Sequence, residues 1–387
     1  MNVLVTGATG FLGAELIRAM LDDSRITRIF ALVRSSHDQS SADRMTKLIS
    51  YWARFDVKPQ GGFDKISIVD FDLQSSVDLP RLDSIDVVIH CAAATDLRLS
   101  LSEARSANLR ATQRALEIAR TSPNLKRFVH LSTAFVSGKL GGVIDEKDRA
   151  VRFFNNYEKT KLEAEDCVKA SDLPFTILRP SVIVGSSRTG YTSRFKVVYS
   201  VWRMWLAGLV PRAPIDRHAR VDMVPSDFVT QAALALAFDP RAAGETLHLC
   251  AGEDAVAATD VLESARDVFA IKYVPTVPMW VAWVWVRWPL RLIAAHGLQQ
   301  IIHVMKWQVP YLGTRGRVFS MVRTRAMLLE HGIKCPVFAE YGRTMFEFCR
   351  DTSWGKRPRP GLEAQLTASA AIQTLGKSDK ESALVFS

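Results

Sequence analysis

The chain has 387 residues but only five cysteines, and these are widely scattered. They form no Cys-x-x-Cys pair and their number is odd: Cys91, Cys167, Cys250, Cys335 and Cys349. This pattern excludes a disulfide framework, argues against a zinc site, and is typical of a reducing compartment. We expect no secretory leader and a cytoplasmic location, because the first predicted strand begins almost at Met1.

Acidic residues are absent from residues 268–329, a window that contains eight Lys and Arg and so nearly accounts for the net charge of +10. Inside it, residues 277–286 form an apolar run with three tryptophans. That run is too short to cross a bilayer, which needs about 20 apolar residues. Tryptophans beside arginines suit a helix lying peripherally in an anionic membrane interface, and a helical cap over a greasy substrate tunnel is the alternative. We expect no nucleic-acid partner.

A glycine-rich turn opens the chain. Residues 2–5 are a short apolar run, residues 6–13 read TGATGFLG, and an apolar-periodic segment follows. Strand, tight turn and helix in this order are what a dinucleotide-binding turn requires. Gly7 and Gly10 let the backbone approach a pyrophosphate, and Gly13 lets the helix pack closely on the strand. The helix N-terminus then faces the phosphates with its partial positive charge.

The second predicted strand, residues 26–33, ends without an acidic residue. In turns that bind NAD, an Asp or Glu about 20 residues beyond the glycines holds the ribose 2′-hydroxyl. Here the strand ends in Arg34-Ser35-Ser36, and Asp38 comes a little late. Arg34 and the serines could instead receive a 2′-phosphate, with a solvated surface arginine as the alternative. The sequence therefore favours NADP over NAD.

Strands and helices alternate along most of the chain. Further strands are predicted at residues 66–71, 85–90, 127–131 and 174–179, and a helix that includes Asn108 at residues 102–120. This alternation predicts an α/β fold, a doubly wound parallel sheet of the Rossmann type. After the third strand, the Asp72 side chain and the Leu73 amide could meet an adenine. After the fourth, the small residues from Ala92 leave room for a cofactor backbone.

A tyrosine and a lysine follow the fifth strand. Tyr157 and Lys161 are four residues apart, so on a helix they share one face. An ammonium beside a phenol favours the phenolate, so we expect the tyrosine pKa to fall from about 10 toward neutral pH. Such a tyrosine can give a proton to a carbonyl oxygen while a hydride reaches its carbon. Thr133, at the end of the strand, could hold the same oxygen.

Several motifs together resemble an extended short-chain dehydrogenase/reductase: TGATGFLG, IHCAAA, HLSTAFVSG, YEKTK and LRPSVIVG. Further details look like fatty acyl-CoA reductases and thioester reductase domains. They are LVR at 32–34 with ADRM at 42–45, GSSRTG at 185–190, and RVDMVPSDFV at 220–229. The resemblance covers about residues 1–252.

The resemblance implies roles for individual residues. Thr133, Tyr157 and Lys161 match the catalytic Ser/Thr-Tyr-Lys triad, and Thr133 rather than Ser132 is chosen because it lies five residues before Gly138. Asn108 matches a position that supports the active site. The positions that match contacts to the cofactor, NADPH, are Gly7, Thr9, Gly10, Phe11, Leu12, Arg34, Asp72, Leu73, Ala92, Tyr157, Lys161 and Pro180.

From these features we expect residues 1–252 to form an NADP-binding domain, with substrate-side elements interleaved from about residue 181. Residues 253–354 would form a smaller, mostly helical substrate or membrane-contact part, and 355–387 a flexible tail. The expected activity is NADPH-dependent reduction of an acyl thioester, carried by CoA or an acyl carrier protein, to aldehyde or alcohol. One alternative is a sterol or sugar-nucleotide dehydrogenase or epimerase of the same fold. Another is a non-catalytic NADP sensor.

Overall fold

The structure of the chain is a computed structural model that describes residues 1–55, 59, 62–82, 84–195, 198–206, 213–214, 218–271, 276–277 and 316–358. The predictions for the tryptophans between residues 280 and 288, for most of the acid-free window and for the tail beyond residue 358 fall outside these ranges.

A seven-stranded parallel sheet is the centre of the fold. The described strands are β1 Asn2–Thr6, β2 Arg28–Val33, β3 Ile66–Asp70, β4 Val87–His90, β5 Arg127–Leu131, β6 Gly142–Ile144, β7 Phe175–Pro180, β8 Val182–Val184, β9 Ala213–Pro214, β10 Arg220–Val221, β11 Met223–Pro225, β12 Glu245–Leu249, β13 Val256–Ala257, β14 Thr276–Val277 and β15 Arg317–Phe319. Seven of them pair in the order β3-β2-β1-β4-β5-β7-β12, all parallel. The predicted α/β fold class is confirmed.

The helices cover the two faces of this sheet. They are α1 Phe11–Leu21, α2 Ser41–Arg54, α3 Leu101–Ala104, α4 Ala111–Arg120, α5 Asn156–Lys169, α6 Val198–Leu206, α7 Ser226–Phe238, α8 Ala258–Phe269, α9 Val322–Glu330 and α10 Phe338–Asp351. The helix expected at residues 102–120 is interrupted, since a π-helical segment, Arg105–Arg110, joins α3 to α4. Within the described ranges, no helix is both long enough and apolar enough to cross a membrane.

The core lies on both faces of the sheet. Val3 and Val5 belong to one buried cluster and Leu4 to another, because side chains alternate between the faces of a strand. All of β4 and β5 is buried, as is usual for the inner strands of a parallel sheet. Because apolar side chains are buried on both faces, the sheet is a rigid base for the residues at its edges.

The sheet register brings three strand ends together. Thr6 at the end of β1 pairs with His90 at the end of β4, and His90 pairs with His130 near the end of β5. The chain order reverses between β1 and β4, and ligands of open α/β sheets bind in the crevice at such a switch point. The glycine turn follows β1, so it lies at this crevice.

The described C-terminal elements pack back onto the sheet domain. Helix α10 packs against α8, and its Phe348 ring lies 5.6 Å from that of Phe55, just beyond α2, and 5.9 Å from that of Tyr191, measured between centroids. Strand β15 pairs in parallel with β6, which places Phe319 beside Ile144. These contacts tie the end of the described chain to α2 and to the segment that follows β5.

Candidate active site

The glycine turn after β1 is tight, and its geometry explains why these positions are occupied by glycine. Gly7 has a φ of +66°, and a Cβ there would lie 2.8 Å from the backbone nitrogen of Ala92. The Gly10 amide donates to the Gly7 carbonyl at 2.8 Å. A Cβ on Gly13 would overlap that same carbonyl oxygen. Side chains at these positions would therefore push β1, α1 and the segment after β4 apart.

The N-terminus of α1 is open to an anion. Gly10 is its N-cap and offers no capping side chain, and the first turn contains no acidic residue. The first backbone N–H groups of a helix lack intrahelical partners and carry partial positive charge. Gly7, Gly10, Phe11 and Leu12 line one cavity of about 520 Å³. This combination is a ready-made site for a pyrophosphate.

Two arginines lie beside the turn, and sequence reasoning assigned a role to only one of them. Arg34 pairs with Asp72 at 3.8 Å and is exposed. Arg44 donates from Nη1 to the Arg34 carbonyl at 2.6 Å and from Nη2 to the Thr9 hydroxyl at 3.2 Å. Burial and the neighbouring Arg34 lower the pKa of Arg44. The missed signal was the capping box of Ser40 and Asp43, which starts α2 and so places Arg44 in its first turns.

Ser35 is already engaged within the protein. Its hydroxyl donates to the carboxylate of Asp70 and accepts from the Ser41 amide at 3.0 Å, and its own amide donates to Asp70 at 3.0 Å. The sequence interpretation offered Ser35 as a phosphate ligand together with Arg34. Because its hydroxyl proton is donated to Asp70, Ser35 does not offer that donor to a phosphate in this arrangement.

The cavity brings together most, but not all, of the predicted cofactor residues. Those lining it are Gly7, Gly10, Phe11, Leu12, Tyr157, Lys161 and Pro180. Thr9, Arg34, Asp72 and Ala92 lie near the glycine turn but outside this lining. Leu73 is buried at 5% exposure among core residues, so its side chain is part of the fold.

The predicted catalytic residues meet at the floor of this cavity. Thr133 is the second residue after β5 and is buried, and Tyr157 lies in the first turn of α5. The N-cap of that helix, Asn155, accepts a hydrogen bond from the Glu158 amide at 3.1 Å, which fixes where the helix begins. Both residues line the cavity, and the Thr133 hydroxyl is close enough to that of Tyr157 to lower its pKa. They are thus placed to hold one oxygen atom between them.

The electrostatics of Tyr157 differ from the sequence expectation. Burial raises its pKa to about 12, and the hydrogen bond from Thr133 opposes this rise. The expected fall toward neutral pH was wrong for the described chain, because burial of the phenol dominates and Lys161 donates to groups of β5 rather than to the Tyr157 hydroxyl. The Nζ of Lys161 donates to the Leu131 carbonyl at 2.7 Å and lies 3.3 Å from Nε2 of His130. Tyr157 therefore holds its proton at neutral pH, as a general acid must.

Lys161 is buried, and burial lowers its pKa to about 8, with the charge of Glu165 opposing that shift. Glu165 lies one helical turn further along α5 and is itself fully buried. It accepts from Ser132 at 2.6 Å and from two nitrogens of Arg179 at 2.9 and 2.7 Å. The bidentate hydrogen bonds from Arg179 compensate the negative charge of the Glu165 carboxylate, which lies one helical turn beyond the lysine.

Asn108 supports the site from the π-helical segment. Its Oδ1 accepts from the Ala94 amide at 2.8 Å, and its Nδ2 donates to the Thr160 hydroxyl at 2.9 Å. It thus joins the segment after β4 to the residue next to Lys161. Single π-helical turns inside helices are frequent at functional sites. The side chain matches the supporting position that the family resemblance implies.

The rest of the cavity is largely apolar. Helix α6 contributes Val198 and Tyr199, which sequence reasoning did not identify. The Tyr199 hydroxyl accepts from the Gly185 amide at 2.7 Å, so its ring is held in place. Other apolar side chains of the lining are Leu97, Leu131, Phe135, Val182 and Ile183. The site therefore has a polar floor at the threonine and tyrosine and a largely apolar surround, in which Asp96 and Arg194 are charged members.

Fold and site together define an extended short-chain dehydrogenase/reductase, a class of NAD(P)-dependent oxidoreductases. The chain belongs to the family described as "Male sterility protein", which matches residues 5–233. The resemblance predicted from the motifs is thereby confirmed.

Curated relatives and solved structures agree with this family. The chain is 27% identical over 279 residues to fatty acyl-CoA reductase 1 of Xenopus laevis, covering 61% of this chain and 54% of that protein. It is 28% identical over 271 residues to a putative fatty acyl-CoA reductase of Drosophila melanogaster, covering 59% and 52%. The chain thus spans about half the length of the curated relatives it matches.

Among solved structures, the chain is similar to the terminal R domain from the myxalamid PKS-NRPS biosynthetic pathway. The TM-score is 0.75 at 26% identity, with 92% of each chain covered. A UDP-glucuronic acid 4-epimerase from Bacillus cereus in complex with NAD has a TM-score of 0.66 at 17% identity, covering 94% of this chain and 100% of that one. The second likeness shows the fold alone.

Proposed function

We propose that this protein reduces an acyl thioester, carried by CoA or an acyl carrier protein, with NADPH. The observation that carries the proposal is the paired hydroxyls of Thr133 and Tyr157 at the floor of a cavity that is also lined by the glycine turn. A reductase needs these two features in one space, one for the cofactor phosphates and one for the carbonyl oxygen. The fatty acyl-CoA reductases among its relatives support the substrate class.

The protein residues would act on the carbonyl oxygen. NADPH, when bound, supplies a hydride to the carbonyl carbon of the thioester. Thr133 and Tyr157 would stabilise the negative charge that develops on the oxygen, and Tyr157 would give it a proton. The resulting hemithioacetal loses the thiol as its C–S bond breaks, which leaves an aldehyde. A second reduction at the same residues would yield the alcohol.

The preference for NADPH rests on the arginines. Arg44 donates to Thr9 and to the Arg34 carbonyl, and no acidic residue ends β2 to hold a ribose 2′-hydroxyl. An arginine has five N–H donors, and Arg44 uses only two of its nitrogens on protein oxygens in the described chain. The remaining donors suit the oxygens of a 2′-phosphate.

The preference for a long acyl chain rests on the apolar surround. Each buried CH₂ contributes about 0.8 kcal/mol, so affinity should rise with chain length. Val198, Val182 and Ile183 offer such surface beside the hydroxyl pair. The acid-free window of residues 268–329 offers positive charge for the phosphates of CoA or for an acidic carrier protein.

The test is NADPH oxidation, followed by absorbance, with acyl-CoA, acyl carrier protein, ketosteroid and sugar nucleotide offered separately. Thioesters of roughly 12 to 18 carbons should be consumed faster than acetyl thioester, because of the gain per buried CH₂. The matching free fatty acid is the control and should be inert, since a carboxylate is a poor hydride acceptor. Oxidation with steroid or sugar nucleotide and none with any thioester would contradict the proposal.

A further inference from the structure

Two histidines lie buried side by side beneath the catalytic lysine. His90 ends β4 and His130 lies in β5, and the two are register partners in the sheet. Both are fully buried, and their rings stack with centroids 5.4 Å apart. The proposed mechanism uses neither of them.

His90 is fixed as a neutral ring by the hydroxyls around it. Thr112 donates its hydroxyl proton to the Asn108 carbonyl at 2.7 Å, so its oxygen is left to accept from Nε2 of His90 at 3.0 Å. Nδ1 of His90 must then accept from the Thr6 hydroxyl at 2.7 Å. With both nitrogens paired in the neutral form, His90 forms a rigid platform for the ring stacked on it.

His130 faces the lysine directly. Nε2 of His130 lies 3.3 Å from Nζ of Lys161, and an ammonium can only donate, so Nε2 must be the acceptor. The ring is therefore neutral and carries its proton on Nδ1. Among the residues that the structure describes, that Nδ1 has no hydrogen-bond partner. Within the described part of the chain, the His130 side chain thus has one polar contact, which is Lys161.

Strand β5 in this way takes two of the three N–H donors of Lys161. One goes to the Leu131 carbonyl and one to Nε2 of His130. The lysine also lines the cavity, so its remaining donor is left for that side. We propose that His130 is a positioning residue, whose neutral imidazole holds the Lys161 ammonium so that its free N–H is directed into the catalytic cavity. The catalytic importance of this positioning rests on the proposed function. Its test does not, because the test measures the pKa of Lys161 and needs no turnover.

The charge on Lys161 depends on every group that faces it. These groups are His90 and Cys91 at the end of β4, His130 in β5, and Tyr157 and Glu165 on α5. Burial lowers the lysine pKa to about 8 and Glu165 opposes that shift. A hydrogen bond accepted by His130 favours the charged form as well. Its loss should therefore lower the lysine pKa further.

The test uses two amides of different reach. In His130→Gln the side-chain carbonyl can occupy the place of Nε2, whereas in His130→Asn it reaches only the place of Nδ1. We expect the Lys161 pKa to stay near its original value in the Gln variant. In the Asn variant it should fall by about one to two units, the size of one hydrogen bond to a charged group. The pKa is read from the ¹³Cε resonance of Lys161, assigned by its loss in Lys161→Met.

His248→Gln is the matched control, because His248 is an equally buried histidine of the same sheet that contacts the Ser320 carbonyl instead. It should leave the Lys161 titration unchanged. Equal shifts in the Gln and Asn variants, or no shift in either, would overturn the proposal.

A measurement on the unaltered protein covers the case in which a variant does not fold. The ¹⁵N resonances of His130 should report a neutral ring protonated at Nδ1 across about pH 6 to pH 7, where Lys161 is charged and Nε2 must therefore accept. A proton on Nε2 or a charged ring would overturn the proposal. Neither readout needs turnover, so failure of the proposed function would show separately, as absence of thioester-dependent NADPH oxidation.

Discussion

Replacing Arg44 with alanine should reduce the preference of the protein for NADPH. In the structure Arg44 donates to the Arg34 carbonyl and to the Thr9 hydroxyl, and its other donors remain for a phosphate. A hydrogen bond to a charged group contributes about 1.5–3 kcal/mol. Since each 1.4 kcal/mol is about a tenfold change in Kd, Arg44→Ala should weaken NADPH binding roughly 10- to 100-fold.

NADH lacks the 2′-phosphate, so its Kd should change far less in the same variant. Both dissociation constants can be measured by titrating nicotinamide fluorescence. Lys47→Ala is the control, because it removes an equal charge from an exposed position three residues further along α2. It should leave both affinities nearly unchanged. Arg34→Asp should likewise weaken NADPH binding more than NADH binding.

Equal losses for the two cofactors in Arg44→Ala would refute this reasoning. They would mean that Arg44 acts by ordering the Thr9 turn rather than by contacting the phosphate. The Arg44–Thr9 hydrogen bond can be removed alone in Thr9→Val, which should cost less NADPH affinity than Arg44→Ala does. A Thr9→Val loss as large as that of Arg44→Ala would point to the same contradiction.

Three further outcomes are expected. Tyr157→Phe should lower turnover by roughly 100-fold or more while NADPH affinity stays nearly intact, and near-normal turnover would remove this hydroxyl from the mechanism. Turnover should fall by about tenfold per pH unit above about pH 8. The reason is that the pKa of Lys161 is lowered to about 8, so its ammonium is present below that pH and lost above it. A pH profile that stays flat to about pH 10 would contradict this. We also propose that the protein co-sediments with anionic vesicles at low salt and less so at high salt. Wild-type protein that stays in the supernatant at low salt would exclude this membrane binding. This binding should be lost when three residues become serine: Trp280, Trp283 and Trp285.

The sequence was sufficient for features that depend on neighbouring residues. The glycine turn is local, since the strand, the turn and the helix all lie within residues 2–21. The pairing of Tyr157 with Lys161 on one helix face needs only the helical period. The alternation of strands and helices gave the parallel sheet, because parallel strands need crossover helices between them.

Contacts between distant segments were not accessible in this way. The pKa of Tyr157 is raised by burial, and Lys161 donates instead to groups of β5, some 30 residues earlier in the chain. The stacking of His90 and His130 depends on the register of two strands. The parallel pairing of β6 with β15 joins residues that are far apart in sequence and carry no motif. Each is a product of tertiary packing rather than of local preference.

The contact that we propose between Arg44 and the cofactor lies between these cases. Its signal, Ser40 followed three residues later by Asp43, is local and predicts the start of α2. What the sequence did not show is that α2 begins where Arg44 can reach back to Thr9 in the glycine turn. An N-cap signal that locates the start of a helix therefore also identifies the charged residues of its first turns as candidate site residues.

The most direct test of the central claim is to follow the hydride itself. A long-chain acyl-CoA is incubated with the protein and with NADPH deuterated at C4, in separate reactions for the two faces of the ring. The aldehyde is trapped as an oxime and analysed by mass spectrometry. We predict one deuterium at C1 of the trapped aldehyde from one of the two labelled cofactors, and little product with Tyr157→Phe. Aldehyde without deuterium from either cofactor, or no aldehyde from any thioester, would contradict the account.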